Sequence, residues 1–199
     1  MNLLRAIAAI GSMTMVSRVF GFVRDILIAA VLGAGTSADC FFVAFRLPNL
    51  FRRLFAEGAF AAAFVPIFSG LLETDGREKA KQFADEAFSV LALALVIFTA
   101  LFELAMPLVM YGLAPGFDQV EGKMELATEL SRITFPYLLF ISLVSLQSGV
   151  LNSLGRFAAA AAAPVLLNLT LIAAILTLPA FMETPGHALS WGVAAAGLI

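Results

Sequence analysis

Apolar stretches of bilayer-spanning length follow one another almost without pause along this chain, and that succession limits what it can fold into. A bilayer core is about 30 Å thick, so a helix crosses it with about 20 largely apolar residues. Residues 4–32, 37–68, 87–110, 127–151 and 157–181 all meet that length. A further stretch starts near residue 189 and is still apolar at Ile199, after about 16 Å of helical rise. Lipid offers the backbone no hydrogen-bond partners, so spanning segments close their own bonds as helices. The expectation is an all-α, polytopic transmembrane helical bundle over residues 1–199, with five complete helices and a truncated sixth. Composition agrees: 61% of residues are hydrophobic, mean hydropathy is +0.98, and only 13% are charged, against about 25% in an ordinary soluble domain.

The links between the stretches carry the punctuation. Gly33 and Gly35 relax the backbone at the first turn, and Pro48 and Pro66 interrupt the hydrogen-bond ladder of the second stretch. Residues 73–86 mix both charge signs and read as a solvated, orienting loop; a second polar link covers 114–125. The alanines of 158–163 permit close helix contact. Arg132 and Pro136 read as an interfacial anchor and a tolerated proline opening the fourth helix. Gln147, Asn152 and Asn168 read as interhelical hydrogen-bond partners, Glu103 as a carboxylate reaching water, and His187 as a loop residue. Residues 1–10 resemble a short signal peptide, but apolar sequence continues to Leu32 without a small-residue cleavage site, so they read as part of a retained helix. With the N-terminus in the cytoplasm, Arg5, Arg77, Lys79, Lys81 and Arg156 lie inside. The outer side holds only Lys123, or also Arg132 if it anchors a helix end, the bias expected of an N-in protein.

Several functional classes lack support. The net charge is −2 and no basic stripe or aromatic platform suggests nucleic acid. One cysteine, Cys40, and one histidine, His187, build neither an internal disulfide nor a metal cluster. No cofactor is implied, and no nucleophile and base pair marks an enzyme.

The charges that remain stand where they are costly. Between residues 17 and 57, Arg18, Arg24, Arg46, Arg52, Arg53, Asp25, Asp39 and Glu57 interrupt otherwise apolar helices. An arginine at a helix centre costs about 2.5–3.5 kcal/mol on insertion scales, so these side chains must face protein, water or ligand. At about 100° per residue, Arg18, Gly21 and Asp25 share one face of the first helix and Ser17 and Arg24 another. On the second, Asp39, Arg46, Arg53 and Glu57 fall within about 40° of one stripe, with Asn49 and Arg52 progressively round from it. Pro48 should kink this helix near Ala44. Measured inward from the turn at 33–36, Arg18 and Arg52 reach similar depths, about 22 and 25 Å. Two readings stay open. Arg53 could pair with Glu57 and Arg24 with Asp25 or Asp39, locking helices together. Alternatively Arg18, Arg24 and Arg52 offer planar donor forks to the phosphate oxygens of an anionic substrate.

The stretches SMTMVSRVFGFVRD (12–25), GAGTSADCFFVAFRLPNLFRRLFAEGAFAAAFVPIF (33–68) and RITFPYLLFISLVSL (132–146) resemble the bacterial MurJ (MviN) proteins of the MOP exporter superfamily. The resemblance covers essentially the whole chain. It implies the N-terminal lobe of a MOP-type flippase, cut within its sixth helix, with the C-terminal lobe of the same protein as the missing partner. Such a protein moves lipid II, the undecaprenyl-pyrophosphate-linked peptidoglycan precursor, from the cytoplasmic to the periplasmic leaflet of the bacterial inner membrane by alternating access. The resemblance assigns Arg18, Arg24 and Arg52 to the pyrophosphate, Asp39 to a required acidic position near the outer end, and Ser17, Asp25, Asn49, Arg53 and Glu57 to the cavity and its gates. At position 46 it asks only for a cation. The alternatives are another MOP-type exporter, of a lipid-linked oligosaccharide or a drug, and a non-transporting membrane scaffold. A drug exporter, which binds cations through acidic groups, fits an arginine-rich cavity poorly.

Overall fold

In the computed structural model the backbone is described for residues 3–55 and 59–199, and the side chains for residues 11–53 and 62–199. The apolar stretches become α1 (Leu3–Leu32), α2 (Thr36–Phe55), α3 (Ala59–Thr74), α4 (Arg77–Leu113), α5 (Lys123–Thr134), α6 (Tyr137–Ser153), α7 (Phe157–Thr177) and α8 (Pro185–Leu198), with no strand among the described residues. By length and composition, Arg77–Leu113, Lys123–Ser153 and Phe157–Thr177 are each able to cross a membrane. The expected all-α bundle is present.

Its boundaries differ from the sequence reading in ways that local chemistry explains. The link at 73–86 is a loop only at Asp75 and Gly76, because α3 runs to Thr74 and α4 already begins at Arg77. The residues there are good helix formers, and spaced pairs brace the turn: Lys81 with Asp85 at 2.9 Å and Gln82 with Glu86 at 2.9 Å. Just before it, Gly76 takes a left-handed φ of 88°, and hydrogen bonds from Lys79 and then Thr74 hold the Asp75 carboxyl below the usual carboxylate range. The fourth stretch is two helices that part at Phe135 and Pro136, where the proline leaves one bond of the ladder unmade. Short bonds from Leu138 N–H to Phe135 O (2.9 Å) and Leu139 N–H to Pro136 O (3.1 Å) carry the chain through the break. His187 is not in a loop. Pro185 opens α8, Thr184 Oγ1 accepts the His187 N–H at 3.4 Å, and the imidazole is buried in that first turn.

Pro48 leaves α2 unbroken. The Ala44 carbonyl has no N–H from residue 48 to accept, and Thr134 Oγ1 of α5 approaches it at 3.2 Å. A neighbouring hydroxyl thus meets a carbonyl that lipid would leave unsatisfied.

The core gathers Cys40, Phe41, Ala44 and Leu47 of α2 with Leu95, Met106 and Met110 of α4, Leu130, Phe135 and Leu138 around the break, and Leu189 and Val193 of α8. Next to it, Phe51 meets Phe98 and Phe102 edge-on at 4.9 and 5.0 Å, and Phe102 stacks on Phe135 at 5.1 Å. α1 packs along α7 and touches α8, while α2 packs on α5, α8, α6 and α3. α8 therefore stands between the two charged helices. Its contact with α7 is close: a Cβ on Gly192 would lie 2.6 Å from the Ala174 Cβ. Along α4, Val90, Leu104 and Leu108 are 70%, 81% and 76% exposed, a surface suited to lipid rather than water.

Candidate functional site

The helical offsets of α1 divide its polar residues between two faces. Ser17, Arg24 and Ile28 turn toward the bundle, and Gly21, expected on the face of Arg18, turns with them against Asn168. Arg18 is exposed and makes no ion pair or hydrogen bond among the described residues. On the inward face Arg24 is held from both sides: its Nη1 donates to Asn168 Oδ1 at 2.7 Å, and its Nε and Nη2 donate to Asp25 Oδ1 at 3.0 and 2.7 Å. Asn168 Nδ2 in turn donates to the Ser17 carbonyl at 3.0 Å and lies 3.4 Å from the Ser17 hydroxyl. The expected pairing of Arg24 with Asp25 is present, and Asn168 bridges α7 to α1 as its sequence setting suggested. Asp25 itself remains exposed.

On α2 the expected stripe is real. Asp39, Phe42, Arg46, Leu50 and Arg53 are exposed on one side, while Phe41, Ala44, Leu47 and Pro48 are buried on the other. Arg46 and Arg53 carry no ion pair among the described residues. Arg52 is half-buried beside Phe51, whose ring is anchored in the aromatic cluster, so the backbone that presents Arg52 is fixed from the core. Asn49 is half-buried and donates to the Phe45 carbonyl one turn back at 3.0 Å. Glu57, with its expected pairing to Arg53, lies outside the described residues.

Asp39 is engaged by a residue the charge pattern of the first two helices did not supply. Lys123, at the start of α5, donates from Nζ to Asp39 Oδ2 at 2.6 Å, and the same ammonium sits 4.4 Å from the centroid of the Phe117 ring. Lys123 is only 14% exposed and Asp39 56%. The neighbouring Cys40 donates to the Lys123 carbonyl at 3.3 Å, tying the same two helix starts together. The sequence did hold a signal for this pair: the two residues carry opposite charge and fall at the same end of the expected bundle. Glu103 does not simply reach water, since its Oε1 is buried with no hydrogen-bond partner.

Cations on two helices of an apolar bundle, with Arg18, Arg46 and Arg53 exposed and without an ion pair among the described residues, mark a multi-pass membrane protein with a charged face. The family model described as Lipid II flippase MurJ matches residues 28–199. The chain belongs to that family. It is 48% identical to the probable lipid II flippase MurJ of Rhizobium tropici, over all of this chain and 38% of that protein. It is 42% identical to the lipid II flippase MurJ of Burkholderia cenocepacia, over all of this chain and 39% of that protein. The fold is similar to a solved structure titled Lipid II flippase MurJ, inward closed conformation, with a TM-score of 0.74 and 26% identity over 95% of this chain and 40% of that one. The chain thus spans about two-fifths of the length of these relatives.

Proposed function

We propose that this chain forms the N-terminal lobe of a lipid II flippase. It would move the undecaprenyl-pyrophosphate-linked precursor from the cytoplasmic to the periplasmic leaflet of a bacterial inner membrane, with its N-terminus in the cytoplasm. Membership of the family supports the substrate. One structural observation carries the site: Arg18 on α1 and the exposed side of α2 turn guanidinium groups that have no ion pair among the described residues away from the lobe's own core. In this reading Arg18, Arg24 and Arg52 hold the pyrophosphate, Arg53, Arg46 and Asn49 line its path, and a C-terminal lobe supplies the opposite wall. The polyprenyl tail stays in lipid while the lobes rock around a midplane site. No bond is made or broken, so the work is electrostatic.

Arg24 has a second role that favours the scaffold reading for that residue alone, because its bonds to Asn168 and Asp25 join α1 to α7. Depletion of the protein is expected to accumulate lipid II in the cytoplasmic leaflet and to lyse cells. Arg18→Ala and Arg52→Ala are expected to abolish rescue at normal membrane levels, and Arg24→Ala to abolish it with some loss of protein. Undisturbed lipid II distribution on depletion would sink the flippase reading. Full rescue by all three variants would sink the phosphate grip.

A further inference from the structure

Away from the cationic face, a groove of about 760 Å³ opens between the end of α3, the start of α4, the end of α6 and the turn into α7. Two glycines with left-handed backbone, Gly76 (φ 88°) and Gly155 (φ 74°), make the turns at its mouth. Its lining is graded. Arg77 and Arg156 stand at the turns and Lys81 one helical turn in, whereas Phe68, Phe88 and Leu146 line the deeper end. From Arg77 to Phe88, α4 rises about 16 Å, so polar and apolar ends are separated by roughly the hydrocarbon depth of one leaflet.

Within the lining, cations outnumber carboxylates by three to one. Asp85 is the one carboxylate in the lining, and Lys81 already binds it at 2.9 Å. Arg77 and Arg156, from different elements, carry no ion pair among the described residues. Two free guanidinium groups above an apolar trough at the end of the hydrophobic spans match an amphiphile with an anionic head. Basic sites between transmembrane helices recognise such lipids through charge-assisted bonds to phosphate.

We infer that this groove is a binding site for an anionic phospholipid, with Arg77 and Arg156 on the headgroup phosphate and an acyl chain along Phe68, Phe88 and Leu146. The site is separate from the face assigned to the transported substrate and does not depend on that assignment.

The test is native mass spectrometry of the purified protein in detergent, titrated with phosphatidylglycerol or phosphatidylcholine. The protein is expected to retain phosphatidylglycerol preferentially. The Arg77→Ala/Arg156→Ala double variant should weaken that retention by about tenfold or more, with phosphatidylcholine adducts and the thermal midpoint unchanged. Lys79→Ala is the control, because Lys79 is equally exposed on the same turn but bound to Asp75 at 2.6 Å and outside the groove; it should retain phosphatidylglycerol like the parent protein. Equal retention of the two lipids, an unaffected double variant, or an equal loss in Lys79→Ala overturns the inference. Displacement of phosphatidylglycerol by millimolar inorganic phosphate overturns it too, by assigning the cations to a soluble anion.

Discussion

Three of the guanidinium nitrogens of Arg24 are engaged before any ligand arrives, two by Asp25 and one by Asn168. Removing the amide leaves the Nη1 donor without its partner, and a part-buried charged donor left unpaired costs about 1–3 kcal/mol. Asn168→Leu should therefore lower the thermal midpoint, and most of that loss should vanish when it is made in an Arg24→Leu background. An unchanged midpoint in the single variant would show that the bridge contributes nothing. Helical offsets alone grouped Ser17 with Arg24 and aligned Asp39, Arg46 and Arg53, because both groupings depend on local geometry. The partners were not legible in the same way. Asn168 is 144 residues from Arg24 and Lys123 is 84 from Asp39, and only packing brings them together.

At the scale of elements, the prolines separate what sequence can and cannot decide. Pro48, Pro66, Pro107 and Pro164 lie inside continuous helices, yet Pro136 splits α5 from α6. The residue type is the same in each case; the difference is what surrounds the backbone. At Pro48 the surroundings include Thr134, whose hydroxyl reaches the Ala44 carbonyl. Thr134→Val keeps the shape and removes that donor, with an expected loss of about 1–2 kcal/mol in a denaturant titration of the reconstituted protein. In a Pro48→Ala background an N–H again points at Ala44, and the same substitution should cost much less. Equal costs in both backgrounds would mean that the hydroxyl serves only its own helix, through the Leu130 carbonyl at 3.0 Å. The helical, apolar character of Arg77–Leu113, Lys123–Ser153 and Phe157–Thr177 was readable from length and hydropathy, whereas the helical start of α4 and the capped start of α8 depended on side-chain pairs at their ends.

For the whole molecule, the question is which exposed surface meets water and which meets lipid. The α2 side bearing Arg46 and Arg53 and the α4 side bearing Leu104 are both uncovered in this lobe. The proposed function makes the first an aqueous wall and the second a lipid contact. Cys40, the one cysteine of this sequence, is fully buried and so should not contribute to thiol labelling. Arg46→Cys in membranes should react readily with a charged maleimide, and Leu104→Cys should not. Labelling of neither, or of both alike, would remove the aqueous wall from the reading. The distribution of charge around the lobe was legible in outline, because a burial cost for each arginine demands a polar neighbour. Which helix would support each arginine was not.

That support gives the close approach of Gly192 to Ala174 a mechanical meaning. α1 hangs on α7, α2 is set against α8, and α7 meets α8 where there is no room for even one methyl group. In the proposed function the two cation-bearing helices are the jaws of a caliper whose pivot lies behind them. A methyl added at residue 192 touches no charge, but it pushes α7 off α8 and so resets the span between Arg18 and Arg52. In the proposed function, the gauge of the grip is set by a residue that has no side chain.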